Sequence, residues 1–175
     1  MKEFIQYLDG NDLRSIGKNN KILKLINSQK DFDELFEYLY SKNRAIKMKT
    51  IDIIEKITVK DNTYLKKHKS KVLALIIDNE NIEFKWHLAQ LLPRLEYNED
   101  EIEFIWGILK QWVMNIKESK IVRVNSLQSL FDLRKNNSKF EVEFKEIIQK
   151  LEKENISSIN ARIKKLRSQK GWYVT

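Results

Sequence analysis

The sequence of 175 residues contains no cysteine, one proline and four glycines. Without cysteine the chain has no disulfide, no thiolate nucleophile and no cysteine-bound zinc. So few turn-forming residues argue against a many-stranded sheet, and long stretches of Leu, Ile, Lys and Glu keep a helical period. The longest uninterrupted apolar run, residues 72–77, is far below the roughly 18 residues that a membrane-spanning helix needs. We expect an all-α protein without a membrane span.

Residue groups that carry catalysis are also scarce. His68 and His87 lack the i, i+4 spacing of a helical metal site, and the four glycines are too scattered to form a phosphate-binding loop. The amino terminus lacks the apolar core and the small-residue cleavage site of a secretory signal. We therefore expect a cytoplasmic protein that is not an enzyme and holds no cofactor and no metal.

What the sequence does contain is a period of 38 residues, carried by polar, apolar and basic positions alike. Its members are Asn43, Ile46, Lys47, Ile54 and Ile57, then Asn81, Phe84, Lys85, Leu92 and Leu95, then Ser119, Val122, Arg123, Leu130 and Leu133. Such self-similarity is typical of repeat proteins in which each helical hairpin must stack on its neighbours to bury its apolar face.

The hydrophobic pattern and the turn signals predict five helical pairs in a single domain, residues 1–175. The predicted pairs are 3–9 with 12–28, 31–40 with 43–59, 62–78 with 81–95, 98–116 with 119–133, and 138–152 with 157–168. We call the second helix of each pair the inner helix. Asn43, Asn81 and Ser119 are good N-cap residues at one phase of the repeat, and Asn98 with Glu101 fits a capping box. Pro93 predicts a kink or an early end of its helix.

The pairs Ile46-Lys47, Phe84-Lys85 and Val122-Arg123, each followed by apolar residues at helical spacing, resemble HEAT repeats over roughly residues 30–168. The sequence is similar to small bacterial HEAT-repeat proteins of unassigned activity. The resemblance implies an armadillo-like, right-handed α–α superhelix of about four to five helix pairs. HEAT repeats commonly carry an Asp about six residues before the basic position, forming a ladder between repeats. Here Ser41, Asn79 and Lys117 occupy those places.

The side of each inner helix opposite its apolar stripe is the candidate binding surface. If inner helices line a concave side, an apolar strip bordered by amides lies there, a composition suited to holding a peptide or a helix. The predicted contacts are Trp86, Gln90, Gln128 and Phe131, with Met48 and Val124 at the edges. We expect a non-enzymatic scaffold that binds a protein segment. The alternative left open for Trp86 is packing against the adjacent repeat.

The net charge of +8 supports a second hypothesis, a nucleic-acid-binding protein. Its candidate phosphate contacts are Lys47, Lys85, Arg94 and Arg123, and the same cations could instead form salt bridges between repeats. Alkylpurine DNA glycosylases are HEAT-like solenoids, so base excision belongs to this alternative at the level of fold only. The apolar tail, residues 171–174, is expected to fold back over the last repeat.

Overall fold

A computed structural model describes residues 4–8, 16–77, 81–169 and 172, with the backbone alone for residues 16–20. Every regular element in these ranges is helical, either α or 3₁₀, and no strand occurs among them. The prediction of an all-α fold is confirmed. The chain divides into two compact units, Met1–Asn79 and Glu80–Thr175, named here the N-terminal and the C-terminal unit. The expectation that they form one domain stays a prediction.

The N-terminal unit is arranged around one long helix, α4. Its helices are α1 (Ile5–Leu8), α2 (Ile16–Leu25), α3 (Gln29–Glu37), α4 (Arg44–Lys60) and α5 (Lys69–Ile77), with 3₁₀ segments at Tyr38–Tyr40 and Asn62–His68. Helix α4 packs against α1, α2 and α3. The four consecutive residues 48–51 of α4 are therefore all buried, which requires neighbours on every side of the helix.

Five α-helices lie in the described residues of the C-terminal unit. They are α6 (Ile82–Leu91), α7 (Glu99–Met114), α8 (Lys120–Arg134), α9 (Glu141–Lys153) and α10 (Ser157–Arg167), with 3₁₀ segments at Leu92–Arg94 and Ser138–Phe140. The inner helix α8 packs against the inner helices α6 and α10 and against the outer helices α7 and α9. The hydroxyl of Ser129 donates to the carbonyl of Ala89 at 2.6 Å, which fixes α8 close against α6.

The predicted caps are confirmed at all three repeats. The Asn43 side chain accepts from the amides of residues 45 and 46, Asn81 caps α6 in the same way, and Ser119 caps α8. Asn98 and Glu101 form the reciprocal hydrogen bonds of a capping box at the start of α7. Each cap satisfies backbone donors that a helix start leaves without an intrahelical partner, so the repeat phase is encoded locally as well as by hydrophobicity.

The predicted apolar faces of the inner helices are also confirmed. Residues 46, 50, 53, 54 and 57 of α4 are buried, as are residues 84, 88, 91, 92 and 95 around α6. Pro93 lies in the 3₁₀ segment that follows α6, so the α-helix ends at Leu91 before the ring can distort it. Trp106 and Trp112 of α7 are 3% and 7% exposed, as expected for outer-helix core, and the Trp106 ring stacks on Phe140 at 4.1 Å.

The last hairpin is covered in part by the carboxyl-terminal segment. The ring of Trp172 lies 6.0 Å from that of Phe131 in α8 and 6.2 Å from that of Phe144 in α9. The Arg167 guanidinium is 5.6 Å from the Trp172 ring centroid. The prediction that the tail folds back is confirmed for Trp172; residues 171 and 173–175 lie outside the described ranges.

Candidate functional site

Two of the repeated basic residues hold neighbouring repeats together. The ammonium of Lys85 lies 2.9 Å from the Glu118 carboxylate and 5.7 Å from the centre of the Trp112 ring. Glu118 is in the turn just before α8, so the pair connects the start of α6 to the start of the next inner helix. Both side chains are largely buried, at 18% and 8% exposed, and this strengthens the attraction relative to a surface pair.

Arg123 makes the same connection one repeat later. Its Nη2 donates to both carboxylate oxygens of Glu154, at 2.9 and 2.7 Å, and its Nε donates to the carbonyl of Val113 at 2.7 Å. Glu154 lies in the turn before α10, again just before an inner helix. Arg123 is 1% exposed. A phosphate cannot reach this guanidinium, so the prediction that Arg123 contacts nucleic acid is wrong.

Lys47 and Arg94 are the other two candidate phosphate contacts, and neither is buried as deeply as Arg123. Lys47 lies in the N-terminal unit and Arg94 in the C-terminal unit, and both are half-buried and take part in interactions of their own. Their role toward a nucleic acid stays a prediction. The sequence does not predict the acidic partners Glu118 and Glu154, because the usual HEAT pattern places the acid of the ladder at residue 117, one residue before Glu118, where this chain has lysine.

In the C-terminal unit the side chains left accessible on α6 and α8 include four of the predicted contacts. Trp86, Gln90, Val124 and Gln128 are each neither buried nor fully exposed. Trp86 and Gln90 are one turn apart on α6, and Val124 and Gln128 are one turn apart on α8. The Trp86 ring stacks on that of His87, with centroids 3.5 Å apart. Because α6 and α8 pack side by side, the C-terminal unit presents both pairs on adjacent helices.

Gln128 also belongs to a polar chain that crosses from α8 to α10. Its Oε1 accepts from Nη1 of Arg162 at 2.8 Å, and its Nε2 donates to Asp132 at 3.0 Å. Burial lowers the pKa of Arg162 below its usual value, and the nearby Asp132 carboxylate opposes that effect. The sequence does not assign Asp132 or Arg162 to this surface; the i, i+4 spacing of Gln128 and Asp132 is the available signal. We define the inner-helix surface as Trp86, Gln90, Val124, Gln128, Asp132 and Arg162.

Two predicted contacts are not on any accessible surface. Phe131 is 0% exposed, because Phe144 and Trp172 pack against it and Lys135 lies over its ring. Met48 is 7% exposed in the core of the N-terminal unit, in the part of α4, residues 48–51, that is buried on every side. Both were predicted from helical phase. Their assignment as partner contacts is therefore wrong.

A cleft adjoins the inner-helix surface at the carboxyl-terminal ends of α6 and α8. It has a volume of about 290 Å³ and is lined by residues that include Pro93, Tyr97, Asp132, Asn136 and Asn137. The Tyr97 hydroxyl donates to the carbonyl of Leu92 at 2.8 Å, and burial raises the pKa of Tyr97. Tyr97 is thus a neutral, fixed wall of a cleft whose other polar residues are two asparagines and the acidic residues Glu96 and Asp132.

The two histidines are buried. His68 is 4% exposed, its Nε2 lies 2.7 Å from the Asp33 carboxylate, and its ring stacks on Phe36 at 4.0 Å. His87 is 5% exposed. Within the described ranges no three histidine or carboxylate side chains come together as a metal site would require. Helices long and apolar enough to span a bilayer are likewise lacking from the described part of the chain.

The inner helices begin with N-caps at the same repeat position, and ion pairs connect one repeat to the next. These features define a helical repeat protein. The sequence profile of the HEAT repeat domain matches residues 9–169, and the chain belongs to the HEAT repeat family. No curated protein sequence is similar enough to count as a relative.

Among solved structures, the X-ray structure of YibA from Escherichia coli is similar, with a TM-score of 0.56 and 17% sequence identity. The match covers 90% of this chain and 53% of the YibA chain, so the present chain spans about half the length of that protein. At this identity the likeness concerns the fold alone.

Proposed function

We propose that this protein is a non-enzymatic scaffold whose inner-helix surface binds a segment of another protein. The observation that carries the proposal is the accessible Trp86 on α6 beside the amides Gln90 and Gln128 on two adjacent helices. Membership of the HEAT repeat family supports it, because that family typically acts through protein contacts and not through catalysis.

The side chains of this surface suit a polypeptide ligand. Tryptophan provides a large apolar contact with few rotatable bonds, which is why it is enriched among the residues that dominate binding energy. The side-chain amides of Gln90 and Gln128 have both donor and acceptor atoms, as a peptide main chain does. Asp132 and Arg162 supply charges of both signs at the edge, and the cleft beside Asp132 offers space for one side chain of the ligand.

Nucleic-acid binding is supported less well. In the C-terminal unit, two of its three predicted cations, Lys85 and Arg123, are engaged by Glu118 and Glu154. A duplex would have to displace these carboxylates before it gained a phosphate contact from either of these two cations. Affinity for duplex DNA at low salt, with a steep loss as salt is added, is the result that would favour this alternative.

The test of the scaffold proposal begins with affinity capture from the native lysate, followed by calorimetry with the purified captured protein. We expect Trp86→Ala/Gln90→Ala to weaken binding at least tenfold, about 1.4 kcal/mol or more, because it removes the central apolar contact and one amide. Both side chains are partly accessible, so the variant should keep the helical circular dichroism of the wild type.

The matched control is Phe104→Ala, which also removes an accessible aromatic ring of the C-terminal unit, but from the outer helix α7. It should bind the captured protein as the wild type does. Equal affinity of the wild type and the Trp86/Gln90 variant would place the binding site elsewhere and contradict the proposal.

A further inference from the structure

The inner helices of the C-terminal unit are basic, whereas its outer helices are acidic. The inner helices α6, α8 and α10 contain eight basic residues and two acidic ones, and the outer helices α7 and α9 contain four basic residues and eight acidic ones. The charges of this unit are therefore separated between two sets of helices. A ligand that lies on the inner helices meets an excess of positive charge, which favours a negatively charged ligand.

Arg162 of α10 differs from the other arginines of the inner helices because it has no ion pair among the described residues. The basic residues that do pair with an acid outside these helices are Lys85, Arg123, Arg134 and Arg167. Arg162 is half-buried, and the one hydrogen bond of its side chain in the described ranges is that from Nη1 to Gln128. Helix α10 contains no acidic residue of its own.

The groups around Arg162 leave its guanidinium short of negative charge. The two oxygens of Asp132 are occupied by the Gln128 amide at 3.0 Å and the Lys135 ammonium at 2.8 Å. Asp132 acts on Arg162 without bonding to it, and the pKa of Arg162 is still lowered by burial. A guanidinium has five N–H donors in a planar fork that matches a carboxylate. The carboxylate of a ligand would therefore supply a counter-charge through a bidentate pair.

Exposed isoleucines extend the apolar part of the inner-helix surface away from Arg162. Ile82 of α6 is 49% exposed and lies one turn before Trp86, and Ile121 of α8 is 47% exposed and lies one turn before Val124. The accessible apolar side chains of this region are thus on α6 and in the first two turns of α8, whereas Arg162 is on α10. A ligand that contacts both kinds of group crosses the inner helices and does not run along one of them.

The distance between the two kinds of group sets the spacing of residues in such a ligand. Helix α8 packs against both α6 and α10, so Trp86 and Arg162 are two helix spacings apart. Packed helix axes are about 8–10 Å apart, which makes the separation roughly 20 Å. An extended polypeptide rises about 3.3 Å per residue and covers this distance in about six residues.

We propose that the inner-helix surface binds an acidic polypeptide segment, which places a large apolar side chain on Trp86 and, about six residues away, an Asp or Glu carboxylate on the guanidinium of Arg162. The proposal rests on the scaffold function proposed above and specifies its ligand. The carboxylate completes the half-buried cation, and the apolar side chain covers Trp86 and Ile82. A nucleic-acid duplex would also supply negative charge, but its surface is polar and offers little to these two side chains.

Selection from a library of random 12-residue peptides tests the proposal, with the wild type and variants as baits. Peptides enriched by the wild type should combine an aromatic or large aliphatic residue with an acidic residue five to seven positions away. Arg162→Gln should still enrich the apolar residue but lose the preference for the acid. Lys164→Gln is the matched control, because it removes the same charge from an exposed site of α10, and it should enrich the same peptides as the wild type.

Fluorescence anisotropy with one enriched peptide, and with the same peptide carrying the amide in place of the acid, measures the coupling to Arg162. Loss of the acid should weaken binding at least tenfold with the wild type and with Lys164→Gln, and less than twofold with Arg162→Gln. Arg162→Lys should give an intermediate loss, because it keeps the charge without the planar fork. Helical circular dichroism equal to that of the wild type shows that these variants fold.

The outcomes distinguish this proposal from the scaffold function. Peptides that depend on Trp86 and Gln90 but carry no acid, or whose acid matters equally with Arg162→Gln, would overturn the acidic ligand and leave the scaffold function in place. If no enriched peptide depends on Trp86 and Gln90, both proposals are contradicted. A 20-bp DNA duplex that binds more tightly than the peptides, and loses this affinity in Arg162→Gln, would assign Arg162 to phosphate and overturn the acidic segment as its ligand.

Discussion

Arg123 and Glu154 are 31 residues apart in sequence and joined by two hydrogen bonds from one guanidinium nitrogen. Lys85 and Glu118, 33 residues apart, repeat the arrangement. In both pairs the base is in the first turn of an inner helix and the acid is in the turn before the next inner helix. The ladder of this HEAT protein therefore connects successive inner helices through the turn that precedes each one.

Replacing Glu154 should destabilise the protein more than replacing Arg123. Glu154→Ala leaves a guanidinium that is 1% exposed without its counter-charge, and we expect a loss of about 3 kcal/mol in the free energy of unfolding. Arg123→Met keeps much of the packing and leaves a carboxylate that is already 21% exposed, so about 1 kcal/mol is expected. Urea unfolding of both variants measures the difference. Equal losses would contradict the account of a buried arginine and an accessible acid.

The effect of substituting Asn155 on stability should depend on the unusual backbone conformation of this residue. It follows α9 with a φ of 52°, in the left-handed region that glycine and asparagine tolerate best. We expect Asn155→Val to destabilise the protein by about 1–2 kcal/mol and Asn155→Gly to change stability by less than about 0.5 kcal/mol. The midpoint of urea unfolding provides the comparison. A valine variant as stable as the glycine variant would show that residue 155 is not held in this conformation.

Stability should depend on pH through Glu143. The hydrogen bond from Lys110, and next the one from the Trp106 indole, hold the pKa of Glu143 below its ordinary value of 4.5, although burial acts in the opposite direction. A carboxylate with a lowered folded-state pKa stabilises the fold above its unfolded-state pKa, and this contribution is lost as the pH falls through the folded-state value.

Glu143→Gln provides the measurement of that contribution. The variant has no titrating carboxyl at this position but keeps an oxygen that can accept from Trp106. The difference in free energy of unfolding between wild type and variant should be largest above pH 4.5 and should shrink below it. A difference that is constant from neutral to acidic pH would rule out a lowered pKa at Glu143.

Trp172 should stabilise the last hairpin. Its ring contacts Phe131 and Phe144, and Trp172→Ala would open both rings to water; because Trp172 is only partly buried, we expect a loss of about 2 kcal/mol. Trp172→Phe keeps an aromatic ring in place and should lose less than half of that. Thermal unfolding followed by circular dichroism compares the two. If both variants unfold at the same temperature as the wild type, Trp172 contributes nothing to the stability of the fold.

Much of the architecture was predictable because it is encoded locally. Asn43, Asn81 and Ser119 recur at one phase, and each is an N-cap in the structure. The apolar stripes follow from helical period. These signals depend on residues within one or two turns of each other, so a single sequence is enough to find the helices and their buried sides.

The candidate site was predictable only in part, because helical phase does not show what packs on a helix from elsewhere in the chain. Phe131 shares its phase with Val124, yet it is covered by α9 and by Trp172, which are 13 and 41 residues away. Met48 is buried because residues 48–51 of α4 are enclosed, although Lys56 and Val59, farther along the same side of the helix, are exposed. Arg162 donates a hydrogen bond to Gln128, which is 34 residues away in sequence, and no local pattern predicts such a contact.

The central claim, that the inner-helix surface binds a protein segment, is tested most directly by hydrogen exchange with the captured protein present and absent. Binding should slow amide exchange in residues 82–94 and 120–134 of the wild type, and the Trp86→Ala/Gln90→Ala variant should show no such protection. Protection confined to α7 and α9, or to the N-terminal unit, would contradict the account.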